Sequence, residues 1–172
     1  MITLVLGGAR SGKSLVAERL AARAAAATGQ PVTYVATASV DPEDADHRAR
    51  IAAHQDRRDP SWATVEGPVD LPAVLTRRAG VVLVDSLGTW VAADPDLSPD
   101  PAALCTALAG RAGAGLGDAI VVSEEVGLGV HPSSELGRRF RDALGGVNVA
   151  VAEVADEVLL VVAGRVLPLD RP

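Results

Sequence analysis

Apolar residues along the chain fall into short unbroken runs, separated by longer stretches in which they recur every three or four positions. Ile2–Leu6 is the first run, closed by Gly7-Gly8, and it predicts a buried strand followed by a turn. From Lys13 to about Ala27 the pattern becomes helical and rich in Ala, Leu, Glu and Arg, until Gly29 and Pro31 stop it. The β-branched stretch Val32–Thr37 predicts a second strand. Pro42 to about Arg58 predicts a helix with Ser39 or Asp41 as N-cap, ended by Asp59-Pro60, and Trp62–Glu66 a short strand. Leu71–Arg78 reads as a helix, and Val81–Val84 as a strand that ends at Asp85. The stretch from Asp94 to Pro101, dense in Asp and Pro, is a loop. A helix over Ala102–Arg111, a strand over Ala119–Ser123, a helix over Ser133–Ala155 and a strand over Val158–Val162 follow, with Val166–Leu169 as a further edge. Strands that are apolar throughout and alternate with helices imply an α/β fold whose parallel sheet is covered on both faces. No repeat, linker or second domain shows, so residues 1–172 are expected to form a single domain.

Composition narrows the classes of partner. With 2% aromatic residues the core must be built from Val, Leu and Ala. A net charge of −6, from 22 acidic and 16 basic residues, argues against a duplex binder, and the scarcity of aromatics removes the stacking platforms of single-strand binders. Nucleic acid is therefore not an expected partner. Cys105 is the only cysteine, which leaves no internal disulfide and no cluster at zinc spacing. The first residues lack the pattern of a secretory signal, and no apolar run approaches a membrane span, so a cytoplasmic protein is expected. Of the basic residues, 15 are Arg and one is Lys, at position 13. A chain that uses Arg elsewhere keeps Lys at one place.

That place is a phosphate loop. Gly7, Gly8, Ala9, Arg10, Ser11, Gly12, Lys13 and Ser14 fit the pattern of Gly, four residues, then Gly-Lys-Ser, between a strand and a helix. Glycines let successive backbone N–H groups turn inward around a phosphate, and the helix aims its positive end at the same anion. A compact ammonium on a long stem reaches the β- and γ-phosphates, where a planar guanidinium fits the concave loop poorly. Ser14 is placed to hold Mg²⁺, and Asp85, delivered by an apolar strand, is the second candidate ligand. The expected class is a P-loop NTPase-like, mostly parallel sheet with helices on both faces, with its ligand beyond the strand C-termini.

Two of the three histidines lie in the segment predicted helical before Arg58. His47, Arg50, His54 and Arg57 fall at spacings of three, four and three, and so share one helical face. Such a face is either solvated surface or a phosphate-facing element. A neutral imidazole is a competent nucleophile towards phosphorus, and Arg50 and Arg57 would favour the neutral form and neutralise phosphate charge. Spacing alone leaves both readings open.

The motifs together resemble one family. After G-G-A-R-S-G-K-S at 7–14 come R-I-A-A-H-Q-D-R-R at 50–58, W-A-T-V-E at 62–66 and V-D-S-L-G-T-W at 84–90. S-E-E-V-G-L-G-V-H-P at 123–132, R-R-F-R-D at 138–142 and A-D-E-V at 155–158 complete the order. The chain resembles, over nearly its whole length, the bifunctional adenosylcobinamide kinase / adenosylcobinamide-phosphate guanylyltransferase family of cobalamin biosynthesis. The resemblance implies phosphorylation of adenosylcobinamide by ATP or GTP. It also implies transfer of GMP from GTP, through a guanylyl-histidine, to give adenosylcobinamide-GDP and pyrophosphate. It maps the guanylylated histidine to His54 rather than His47, groups Arg50, Arg57, Glu66 and Asp85 with the loop as nucleotide-binding residues, and implies a homotrimer.

The chain departs from the family's usual pattern at Glu124, Ala93 and Val149, where Asn, Asn and Gln are usual, while Asn148 is kept. Glu124 adds negative charge near a polyphosphate site, as a ligand of the Mg²⁺ shell or as a residue turned away. His131 is expected to be a loop residue, Trp62 and Trp90 packing residues, and Cys105 a core filler. Two other readings stand beside the bifunctional enzyme: a P-loop kinase of another small metabolite, and a non-catalytic nucleotide-binding switch.

Overall fold

Alternate residues of the central strands face two different layers of helices, which is why those strands are apolar on both faces over most of their length. The protein is represented by a computed structural model that describes residues 1–38, 59–67 and 70–171. Its strands are β1 (Ile2–Gly7), β2 (Val32–Ala36), β3 (Ala63–Glu66), β4 (Val81–Asp85), β5 (Ala119–Glu124), β6 (Glu157–Val162) and β7 (Arg165–Pro168). Its helices, among the described residues, are α1 (Lys13–Thr28), α2 (Leu71–Arg77), α3 (Leu87–Ala93), α4 (Pro101–Gly113) and α5 (Glu135–Val154). The strands form one sheet in the order β3-β2-β4-β5-β1-β6-β7. All neighbours are parallel except the closing β6–β7 hairpin.

One layer packs Leu4, Leu6, Val82, Val84 and Val121 against Leu71, Leu75, Leu87, Leu104, Leu108, Leu144 and Val151 of α2 to α5. The other packs Val5, Leu83, Ile120, Val122 and Val161 against Ala17 and Ala21 of α1. The small side chains of α1 let it lie close to the sheet, and alanine also favours the helix. Helix ends follow local chemistry. Asp70, Ser86, Asp100 and Ser134 each cap a helix by accepting an N–H from its first turn, and Pro follows the cap in α2 and α4.

Every expected element other than the helix before Arg58 falls among the described residues and is present there, and α3 is an addition. It is seven residues long, too short for a helical period to stand out, and it starts at a reciprocal capping box between Ser86 and Thr89. The helix predicted from Pro42 to Arg58, with its N-cap candidates, lies outside the described residues. No described helix is long and apolar enough to cross a membrane.

The strand order decides where a ligand can sit. The chain leaves β1 through α1 on one face and leaves β5 through α5 on the other, although β1 and β5 are neighbours. Their C-terminal ends mark a switch point, the kind of place at which open parallel sheets bind ligands. Gly7 and Glu124 face each other across that point.

Candidate nucleotide-binding site

The loop after β1 is shaped by its backbone. Gly12 takes φ +94° immediately before α1, and Arg10 also takes a left-handed φ of 56°. The first of these conformations suits only glycine without strain, which accounts for the second Gly of the motif. The Ser11 N–H donates to Gly8 O at 3.3 Å and the Val16 N–H to Gly12 O at 3.1 Å, closing the turn onto the helix. The Gly164 N–H donates to Ser11 O at 2.7 Å and fastens the loop to the β6–β7 hairpin. Lys13 and Ser14 open α1, where backbone N–H groups without helical partners favour an anion. Lys13 Nζ donates to Gly8 O at 3.4 Å, so the ammonium is folded back over its own loop.

Beside the loop stands a network that sequence reasoning did not resolve. Glu124, at the tip of β5, places Oε1 3.5 Å from Lys13 Nζ. Its Oε2 accepts the Ser86 hydroxyl at 2.9 Å and the Gly88 N–H at 3.1 Å. A Cβ at position 88 would overlap this carboxylate, so glycine there lets the Glu124 side chain reach the Gly88 N–H. Glu124 is therefore not turned away from the loop. Thr37, at the tip of β2, binds the same corner: its hydroxyl accepts the Ser86 N–H at 3.0 Å and donates to Ser86 O at 2.6 Å. The sequence signal for Ser86 is its place one residue after a strand-ending Asp and three before Thr89, the spacing of a helix cap.

The remaining candidates spread along the same edge of the sheet. Asp85 ends β4, separated from β1 by β5, and its Oδ2 accepts the Tyr34 hydroxyl at 2.6 Å. Strand spacing of about 4.8 Å puts that tip roughly 10 Å from the tip of β1. Glu66 ends β3, four strands from β1 and exposed, roughly 19 Å along the edge by the same spacing. The fold thus brings Lys13, Glu124 and Ser86 together and sets Asp85 and Glu66 progressively farther out. Arg50, His54, Arg57 and His47 lie outside the described residues. His131 is exposed in the loop after β5, with Nδ1 2.9 Å from Arg141 Nη1, as expected of a loop residue. Trp62 and Trp90 are partly buried against the two core layers, the packing role expected of them. Cys105 is likewise partly buried and its Sγ donates to Ala150 O at 3.2 Å, while burial pushes its thiol pKa up. Among the described residues, no group of three or more His, Cys, Asp or Glu side chains forms a metal cluster.

Comparison with known proteins identifies the family of the chain. A family model described as cobinamide kinase / cobinamide phosphate guanyltransferase matches residues 3–169. The bifunctional adenosylcobalamin biosynthesis protein CobP of Pseudomonas aeruginosa is 43% identical over 175 residues, which span 98% of this chain and 97% of that protein. The corresponding CobU proteins of Salmonella typhimurium and Escherichia coli are each 34% identical, over 95% of this chain and 97% of theirs. Among solved structures, the flagellar accessory protein FlaH of Methanocaldococcus jannaschii superposes with a TM-score of 0.56 at 16% identity, covering 96% of this chain and 74% of that one. That likeness shows the fold. The sequence relatives show more: the chain belongs to the cobinamide kinase / cobinamide phosphate guanyltransferase family.

Proposed function

We propose that this chain catalyses both reactions in its family's description, phosphorylating adenosylcobinamide and then transferring GMP to the product. The observation that carries the reading is a phosphate loop, complete from Gly7 to Ser14 and closed around Lys13, in a chain whose family match runs from residue 3 to 169.

In the first reaction the cobinamide hydroxyl oxygen attacks the γ-phosphorus of ATP or GTP. The bond to the bridging oxygen breaks, the nucleoside diphosphate leaves, and the hydroxyl proton is lost. The loop N–H groups and Lys13 stabilise negative charge on the phosphoryl oxygens, which is most of what phosphoryl transfer asks of a protein. In the second, a neutral ring nitrogen of His54 attacks the α-phosphorus of GTP. A P–N bond forms and pyrophosphate departs. An oxygen of cobinamide phosphate then displaces the imidazole, giving adenosylcobinamide-GDP. Covalent catalysis of this kind divides one phosphodiester exchange into two easier displacements. Arg50, Arg57 and Glu66 are proposed to contact the nucleotide in these steps.

Ser14 and Asp85 are proposed to hold Mg²⁺. Their all-oxygen, sparse donor set suits an ion that keeps several waters and binds through one or two carboxylates plus substrate phosphates. When bound, the ion supplies further neutralisation of phosphate charge.

Incubation with GTP labelled at the α-phosphorus tests the transferase half. Acid-labile, base-stable label on the protein is expected, lost in His54→Ala while cobinamide phosphorylation persists. Wild-type protein that takes up no label overturns it. Nucleotide bound without any cobinamide-dependent consumption overturns the kinase half and favours a switch.

A further inference from the structure

Lys13 already has an anionic partner. The ion pair with Glu124 is largely withdrawn from solvent, with the lysine side chain 11% exposed and the glutamate 28%. The carboxylate is tethered by the Ser86 hydroxyl and the Gly88 N–H. The backbone behind it is held as well: Asn148 Nδ2 donates to Glu124 O at 3.1 Å, and Asn148 Oδ1 accepts the Ser123 hydroxyl at 2.6 Å. Of the two partners, Lys13 is the one free to move, since its only other hydrogen bond among the described residues is the long contact to Gly8 O. A phosphate entering the loop and the Glu124 carboxylate therefore compete for one ammonium. Like charges a few ångströms apart in a partly desolvated crevice repel strongly.

We propose that Glu124 is an internal anion that occupies Lys13 until a polyphosphate displaces it, and so sets how much negative charge a ligand must carry to be held. The inference rests on reading Gly7–Ser14 as a polyphosphate cradle. Tripolyphosphate or a nucleoside triphosphate can engage the whole loop and overcome the internal competitor. Inorganic phosphate and monophosphates present too little charge to do so. When pyrophosphate or a diphosphate departs, Glu124 takes Lys13 back, so release does not leave a bare, half-buried ammonium. An amide at this position, the usual family residue, has no charge with which to compete.

Calorimetric titration with inorganic tripolyphosphate, in chelator and without divalent ions, tests the proposal on wild type, Glu124→Gln and Glu124→Asn. Glutamine keeps an acceptor for Ser86 and Gly88 while removing the charge; asparagine removes the charge with a shorter arm. Both are expected to bind roughly tenfold more tightly than wild type, the factor for one nearby charge at an intermediate dielectric. The gain should shrink as salt rises from about 0.05 to 1 M, where screening shortens to about 3 Å. A purely structural role predicts no salt-dependent gain. Unchanged or weaker binding in the two neutral variants overturns the proposal. Lys13→Met is run in parallel: if it too leaves tripolyphosphate binding unchanged, the cradle reading itself falls. If only the Glu124 variants are silent, the cradle stands and the internal competitor does not.

Discussion

Replacing Arg111 by methionine is expected to cost about 2–6 kcal/mol of stability while leaving nucleotide affinity unchanged. Arg111 on α4 is 1% exposed, the largest fully buried side chain among the described residues. Its Nη1 donates to Leu75 O at 3.1 Å and to Arg78 O, and its Nη2 to Gly80 O and to Leu116 O at 3.1 Å. The planar guanidinium thus ties the C-terminal end of α2 to the loops that enter β4 and β5, satisfying carbonyls that the end of a helix leaves without partners. Burial pulls its pKa below the ordinary guanidinium value, with Asp118 opposing, and the group stays cationic because that value is so high. Methionine fills similar space and donates nothing. Leu116 O keeps the Gly80 N–H at 2.8 Å, and water reaches the exposed Arg78. The loss therefore concentrates on the buried carbonyls of Leu75 and Gly80, at about 1–3 kcal/mol for each unsatisfied group. For a domain of this size such a loss lowers the Tm by roughly 10 °C. Urea and thermal unfolding followed by circular dichroism read the stability, and calorimetry at 20 °C reads the Kd for GTP. These carbonyls lie at the N-terminal edge of the sheet, opposite the loop. A Tm drop below about 3 °C, or a weakened Kd in the folded variant, would refute the reasoning.

Two further outcomes are expected. Gly88→Ala forces its Cβ into the Glu124 carboxylate and should destabilise by about 1–3 kcal/mol. Adding Glu124→Ala should restore most of that in thermal melts, and simple additivity of the two changes would show that the clash lies elsewhere. Cys105 has a thiol pKa raised by burial, so less thiolate is present at pH 8 than for a free thiol. Its reaction with a disulfide reagent should be slower than that of glutathione and should accelerate only above the ordinary thiol range; equal rates at pH 8 would contradict the burial argument.

Much of this protein is legible without coordinates because its signals are local. An apolar run flanked by glycine is a strand wherever it goes, and Gly7–Ser14 carries its own conformation through Gly12 and its own charge through Lys13. Asp100-Pro101 and Ser134 announce helix starts for the same reason: a cap bonds within its own turn. Helix α3 escaped because seven residues hold barely two helical turns, and its box uses Thr89 rather than the usual Glu or Gln. Arg111 reads in sequence as one more surface arginine, since the carbonyls that hold it come from residues 31 to 36 positions upstream as well as from Leu116.

The sequence by itself determined the α/β pattern, the phosphate loop and, through motifs spread over the chain, the family. Only the tertiary structure decided which strand stands next to that loop. Parallel strands joined by helices can take several orders with equal local propensity, because strand order is set by how the helix layers pack on the two faces. Here β5 inserts between β1 and β4, so that Glu124, not Asp85, is the carboxylate that pairs with Lys13 among the described residues.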